Sequence, residues 1–219
     1  MPQKLLNPAD VQKTFAMLTV DEKNRELLAC FHPRNVLQEI DFLFLPPGYE
    51  LIRVDDRLDG IPYQHFELAL INTFTNEVVY YNRVIITGDV FLNCKPVTQI
   101  LIWRSPKPTH RTVLRDLPGK IFSDYLLKKF SVVVTDRHQT HDGMNIWMTR
   151  LYEALEARCH LYAYDMITCE LRTVRNETDL GAQVDWLWGN EDNHQNRLAI
   201  ISANPLPPTN SCHSYLRGN

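Results

Sequence analysis

The sequence predicts a mixed α/β fold: a single mixed sheet, antiparallel in its N-terminal half and parallel in a helix-strand-helix-strand C-terminal half, with helices packed on it. Three observations carry this reading. Short apolar runs of strand length, separated by turn residues, succeed one another from Ile40 to Trp103. Two stretches beyond Pro118 place apolar residues at helical spacing, and each is followed by a β-branched or aromatic run of strand length. A chain of 219 residues with 44% hydrophobic and 22% charged residues also has the length and apolar content to bury a full core, which excludes a disordered polymer. No Gly/Ser-rich or charge-rich linker divides it. The expected organisation is therefore one domain over residues 1–204, led by two helices, with a flexible proline-bearing tail over 205–219.

Asn7-Pro8 is a helix start, because the Asn side chain caps free amides and proline loses no hydrogen bond at the first helical position. Val11, Phe15 and Leu18 then share a face. Thr19-Val-Asp-Glu22 has the pattern of a capping box and opens a second helix bounded by Pro33. After Pro46-Pro47-Gly48, Tyr49 to Val54 reads as a strand. Tyr63 to Asn72 and Glu77 to Thr87 form a hairpin about Thr73-Phe-Thr-Asn76, and the alternation of Phe66, Leu68 and Leu70 with His65, Glu67 and Ala69 suits a half-buried strand. Val97 to Trp103 is a further strand.

The second half reads as a helix from Pro118 presenting Phe122, Tyr125, Leu126 and Lys129, a strand over Ser131 to Thr135, a helix from Asp142 to Ala157, a strand over His160 to Tyr164 and a last strand over Leu198 to Ser202. Helix, strand, helix, strand implies a crossover between parallel strands. Thr178 to Asn196 is polar apart from Trp186-Leu-Trp188, whose rings read as one core residue and one partly covered surface residue rather than a stacking platform.

A net charge of −3 gives no general attraction to polyanions, which argues against nucleic acid and acidic membrane as partners. The densest basic run, Arg104 to Arg115, reads as a solvated loop. Five cysteines at irregular spacing read as free thiols in a reducing compartment. The N-terminus lacks an apolar signal core, and no apolar run approaches the roughly 18 residues that span a bilayer, so a cytoplasmic location is expected. Nothing in the sequence sets the oligomeric state or names a small-molecule or protein partner.

Chemistry is expected where the Ser131 strand runs into the loop Asp136 to Gly143, since ligands of open α/β sheets collect outside the carboxyl ends of parallel strands. Asp136, His138, His141 and Asp142 lie within this loop, and Asp165 ends the next expected parallel strand, so that it would face the same crevice. These groups have the donor types of a divalent-cation site or an acid/base pair. The plainer reading makes the aspartates caps and the histidines solvated. No metal site is assigned, because His138, His141, Cys159 and His160 match no zinc-module spacing. Tyr152, on the following helix, is either a catalytic hydroxyl or a packing aromatic.

The order two helices, antiparallel strands, helix, strand, helix, strand, strand resembles the GNAT superfamily of acyl-CoA-dependent N-acyltransferases over roughly residues 8 to 202. The resemblance is one of topology. It sets Val97 to Trp103 against the family's fourth strand, Gly119 to Phe130 against the helix that receives the cofactor pyrophosphate, and Asp142 to Ala157 against the fourth helix. It implies acyl-CoA as cofactor, held near Gly119 and Lys120 within Arg115-Asp-Leu-Pro-Gly-Lys120, and Tyr152 as an acid in transfer to an amine or protein substrate. Two other readings stand beside it: a non-catalytic binding or interaction protein on an enzyme-like scaffold, similar in style to proteins of phages and bacterial mobile elements, and a metal-dependent hydrolase or nuclease using the aspartates.

Overall fold

A computed structural model describes residues 8–41, 43–87, 97–134, 141–165, 167–188 and 197–206. The chain divides into two compact units, Lys4–Ile86 with Ile100–Lys128, and Met1–Gln3 with Thr87–Gln99 and Lys129–Asn219. The expected single domain has no linker because the chain passes between the units inside regular structure, including the strand that runs through Gln99 and Ile100.

The first unit is an antiparallel sheet covered on both faces. Helices α1 (Pro8–Thr19) and α2 (Asp21–Ala29) lead into strands β1 (Arg34–Asn35), β2 (Tyr49–Asp55), β3 (His65–Asn72) and β4 (Glu77–Thr87), which pair in sequence order. Strand β5 (Val97–Arg104) follows, its last five residues in this unit. Leu18, Leu27 and Phe31 of the helical layer pack on Ile52, Val54, Ala69, Val78 and Tyr81. Asn24, buried, ties that layer down: its amide nitrogen donates to the Leu18 and Val78 carbonyls, and its oxygen accepts from the Val78 amide. The expected capping box is not formed. The Thr19 hydroxyl donates back to the Phe15 carbonyl at 2.9 Å, and α2 begins after Val20 without a side-chain cap.

The other sheet face meets short helices α3 (Arg111–Leu114), α4 (Leu117–Lys120) and α5 (Leu127–Lys129), with a π-helical turn over Ile121–Leu126 between the last two. The widened turn buries Ile121, Phe122, Tyr125 and Leu126 together. Tyr125 packs edge-on against Phe66, and its hydroxyl accepts from Arg53, whose guanidinium lies 3.8 Å from the Phe66 ring centre. With helices on both sides, β3 is buried along nearly its whole length rather than half-buried. His65 and Glu67 are therefore interior polar groups that require partners. Glu67 receives a two-pronged contact from Arg57 at 2.6 and 2.7 Å and a short hydrogen bond from the Tyr81 hydroxyl, which also accepts from Arg83. The His65 Nδ1 faces the Tyr63 carbonyl while Nε2 accepts the Leu58 amide, which fixes a neutral tautomer.

The second unit holds β6 (Ser131–Val134), α6 (His141–Glu156), β7 (His160–Asp165), β8 (Glu170–Val174), α7 (Glu177–Trp188) and β9 (Arg197–Ser202). The expected single sheet with a parallel second half is corrected here. β9 lies between β6 and β7 and is antiparallel to both, and β7 is antiparallel to β8. The strands β6 and β7 run in the same direction, but the last strand returns into the space between them, so they form no parallel ladder. The one parallel pairing among the described residues is that of β5 with β6, over Val97↔Ser131 and Thr98↔Val132. Helix α6, with Leu151 and Ala154 buried, contacts β7, and α7 contacts β8 and β9.

Helix α7 occupies a stretch that read as polar. Its signal is a reciprocal cap: Asn176 Oδ1 accepts the Asp179 amide and the Asp179 carboxylate accepts the Arg175 amide. Trp186 has the guanidiniums of both Arg172 and Arg197 within 4.4 Å of its ring centre, a pair of cation–π contacts. The flexible tail expected from Pro205 is anchored at least at Leu206, which packs on Tyr162 and donates its amide to that hydroxyl; residues 207–219 lie outside the described ones. The expectation of free thiols holds for Cys30 and Cys159 and fails at Cys169, a buried residue that is disulfide-bonded to a partner outside the described residues.

Two measurements follow from this packing. Arg57→Ala leaves the Glu67 carboxylate buried without its cation and should cost about 3 kcal/mol in chemical denaturation, whereas the double change Arg57→Met, Glu67→Met should cost less than that single change. Thiol titration in denaturant should count two fewer groups before reduction than the five found after it; equal counts would remove the disulfide.

Candidate functional site

Beyond β5 the chain cannot continue as a strand, because Pro106 and Pro108 lack amides for a ladder. It turns instead through a 3-10 segment, Pro108–His110, into α3. Two fastenings fix this turn. The Ser105 amide donates to the Val79 carbonyl, and a single carboxylate, Glu77 at the start of β4, holds both ends of the segment 107–110. Glu77 Oε2 accepts from Lys107 Nζ at 2.5 Å, and its Oε1 faces His110 Nε2 at 3.2 Å while also accepting from the Thr75 hydroxyl at 2.7 Å.

His110 is only 2% exposed. Its Nδ1 lies 2.9 Å from the Tyr49 hydroxyl, so Nε2–H donating to Glu77 and Tyr49 O–H donating to Nδ1 satisfies all three groups with a neutral ring. Tyr49 is delivered by the turn at Pro47-Gly48, where Gly48 takes a φ of +83° that a side chain would resist. The chain Tyr49–His110–Glu77 thus spans β2, the 3-10 turn and β4 as an interior brace. Burial works to raise the Glu77 carboxyl, but hydrogen bonds from Lys107 and Thr75, with the charge of Lys107, outweigh it and hold the group below its ordinary value.

Leu114 and Leu117 are buried, so the opposite side of these short helices faces water. Arg111 and Arg115, four residues apart, share that side. With Arg104 and Lys107 they line a cleft of about 870 Å³, to which Leu114 and the two prolines add apolar wall. The four cations differ. Lys107 is held by Glu77 and by Asp21 at 2.8 Å. Arg104, Arg111 and Arg115 are exposed and have no hydrogen-bond or ion-pair partner among the described residues. Three exposed guanidiniums around one concavity, unpaired among the described residues, on a chain of net charge −3, make a local positive field with the planar donor forks that suit phosphate or carboxylate.

The residues singled out from sequence are not brought together among the described ones. Asp136 and His138 lie outside the described residues, and His141 and Asp142 are the first two residues of α6. Tyr152, also on α6, is 38% exposed. Asp165 ends β7 and caps a turn, accepting the amides of Ile167 and Thr168 at 2.8 and 3.0 Å with Arg197 Nε at 3.5 Å. Gly119 and Lys120 fall in α4, in the other unit, and are not among the cleft-lining residues; the Gly119 carbonyl accepts from Ser123. Among the described residues no three His, Cys, Asp or Glu side chains gather as a metal site, and no helix is long and apolar enough to cross a membrane.

Compared with protein-family models, with curated proteins and with solved structures, the chain matches none.

The lowered Glu77 value has a pH consequence with a defined sign. A carboxylate depressed on folding adds stability that is complete above its unfolded value, about 4.3, and is lost as pH falls through the lower folded value. Glu77→Gln should therefore be less stable than the parent protein at pH 7 and converge on it in acid, as read from urea midpoints across pH. A constant difference across that range would assign the loss to packing alone.

Proposed function

We propose that the cleft lined by Arg104, Lys107, Arg111 and Arg115 binds a phosphate-bearing small molecule, and that this ligand is an acyl-CoA whose acyl group passes to an amine or protein substrate. The observation that carries the binding half is the set of three exposed arginines on one concave surface, none with an ion-pair partner among the described residues. An acyl-CoA offers a pyrophosphate and a further phosphate, enough anionic oxygens to engage several guanidinium forks at once.

The acyl-CoA half is supported by the element order: two helices, antiparallel strands, a helical segment after β5, then strand, helix and strand. Further support comes from the parallel pairing of β5 and β6, the strands on either side of that helical segment. In the reaction the substrate nitrogen attacks the thioester carbonyl, the C–S bond breaks, and the CoA thiol leaves with the proton the amine gives up. On this reading the phosphates belong upstream of Gly119 and Lys120, at residues 104–115, whose side chains line the cleft.

A second reading, anion binding without catalysis, is favoured by the cleft lining itself, which holds cations, prolines, a serine and a leucine and no carboxylate, imidazole or phenol to move a proton. The hydrolase reading finds no support among the described residues. The free thiols of Cys30 and Cys159 favour a cytoplasmic setting, and the Cys169 disulfide weighs the other way.

Calorimetric titration with pyrophosphate, CoA and acetyl-CoA tests both halves. Arg111→Ala and Arg115→Ala should each weaken binding about tenfold or more, as the loss of a charged hydrogen bond does. Affinity should also fall as salt rises. Unchanged binding in both variants sinks the cleft reading; binding of CoA without thiol release from acetyl-CoA in the presence of amines selects the non-catalytic one.

A further inference from the structure

Among the described residues, Lys107 is the one cation of the cleft whose charge is already answered, and it is answered twice. Glu77 is the inner partner, with a side chain about 10% exposed and further ties to Thr75 and His110. Asp21, the first residue of α2, is the outer partner, at 2.8 Å, with its side chain 61% exposed. The two carboxylates approach the same ammonium, but only Glu77 is braced by other groups. Hydrogen bonds from Lys107, ahead of its charge, hold the Asp21 carboxyl below its ordinary value, so Asp21 is anionic wherever the cleft is able to take a phosphate.

We infer that Asp21 is a built-in competitor for the cleft: its carboxylate occupies the outer side of the Lys107 ammonium, where an anionic oxygen of the ligand would otherwise sit, and so sets both the affinity and the minimum charge of the ligand accepted. The inference rests on the reading of the cleft as an anion site. An ammonium has three donors; Glu77 takes one for structure and Asp21 a second, so a ligand phosphate either uses the third beside the Asp21 carboxylate, against its charge, or displaces Asp21. A ligand with one weak charge gains little by that exchange. A pyrophosphate, which brings several charged oxygens to Lys107 and the three arginines together, gains more. Asp21 thereby favours polyphosphate-bearing ligands over carboxylates and single inorganic anions, an example of selection by a built-in repulsive partner.

The test compares Asp21→Asn with Glu22→Gln, which removes the same charge one residue away without touching Lys107. Inorganic pyrophosphate, inorganic phosphate and acetate are titrated into each full-length protein, with Arg111→Ala as the control for the cleft. Asp21→Asn should tighten pyrophosphate binding by about two- to fivefold, the range expected for releasing one exposed ion pair, and should raise phosphate affinity by at least the same factor. Glu22→Gln should leave both near the parent values. Equal tightening in the two variants would assign the effect to the general field and overturn the inference, as would an unchanged or weakened affinity in Asp21→Asn while Arg111→Ala still loses binding. If the parent protein takes up no pyrophosphate, or Arg111→Ala binds it as the parent does, the cleft reading itself is what fails.

Discussion

Burial of β3 on both faces is the constraint from which the first unit is built. A strand covered by helices on each side cannot send its polar residues to water, yet β3 carries His65 and Glu67. An ionised carboxylate in that position is tolerated only when paired and hydrogen-bonded. Arg57 from the β2–β3 connection and Tyr81 from the next strand supply the partners. The arrangement fixes more than charge: it sets the path of the connection that carries Arg57 and places the Tyr81 phenol where burial, and then the Glu67 charge, push its ionisation well above the ordinary value. Arg83 then reaches across to the Thr14 hydroxyl on α1, so the same network ties a helix to the sheet it covers.

A second interior carboxylate extends that logic to the surface. Glu77 stands at the start of β4, across from Asn72, and gathers a lysine, a histidine and a threonine. Two of these belong to the turn after β5, so a group belonging to the sheet decides where the loop of cations lies. The Tyr49–His110–Glu77 chain has the composition of a proton relay, but with His110 closed off from solvent and each group satisfied, bracing the turn accounts for it fully. The turn is fastened at Lys107 and His110, while the arginines that line the cleft are exposed.

Local signals made most elements legible. The Asn7-Pro8 start, the β3–β4 hairpin, the apolar stripe of α6 and the runs at β6, β7 and β9 are all written within a few residues of where they form. What the chain does at a distance was not legible in the same way. Alternation along His65 to Leu70 looks alike whether the second face meets water or a helical layer, so the two-sided burial of β3 depends on residues 111–129. A place for β9 beside or between β6 and β7 is in keeping with its apolar run, but its antiparallel direction leaves no mark on any of the three strands. At the site, the basic run from Arg104 to Arg115 was visible, and its reading as a solvated loop was reasonable for the run alone. Which of its cations are spoken for depends on Glu77 and Asp21, tens of residues upstream.

That inequality among the cations bears on how the cleft works. Arg104, Arg111 and Arg115 repel one another, and water together with salt keeps the cost small, since exposed charges are screened over about 8 Å at physiological ionic strength. An anion entering the cleft gains the direct contacts and also relieves this repulsion. Lys107 contributes differently. Its charge is compensated by Glu77 and Asp21, so it adds little to the positive field of the cleft. On the proposed reading of the cleft as an anion site, attraction rests with the arginines and discrimination with the lysine, a division of labour that follows from which cations the fold has paired.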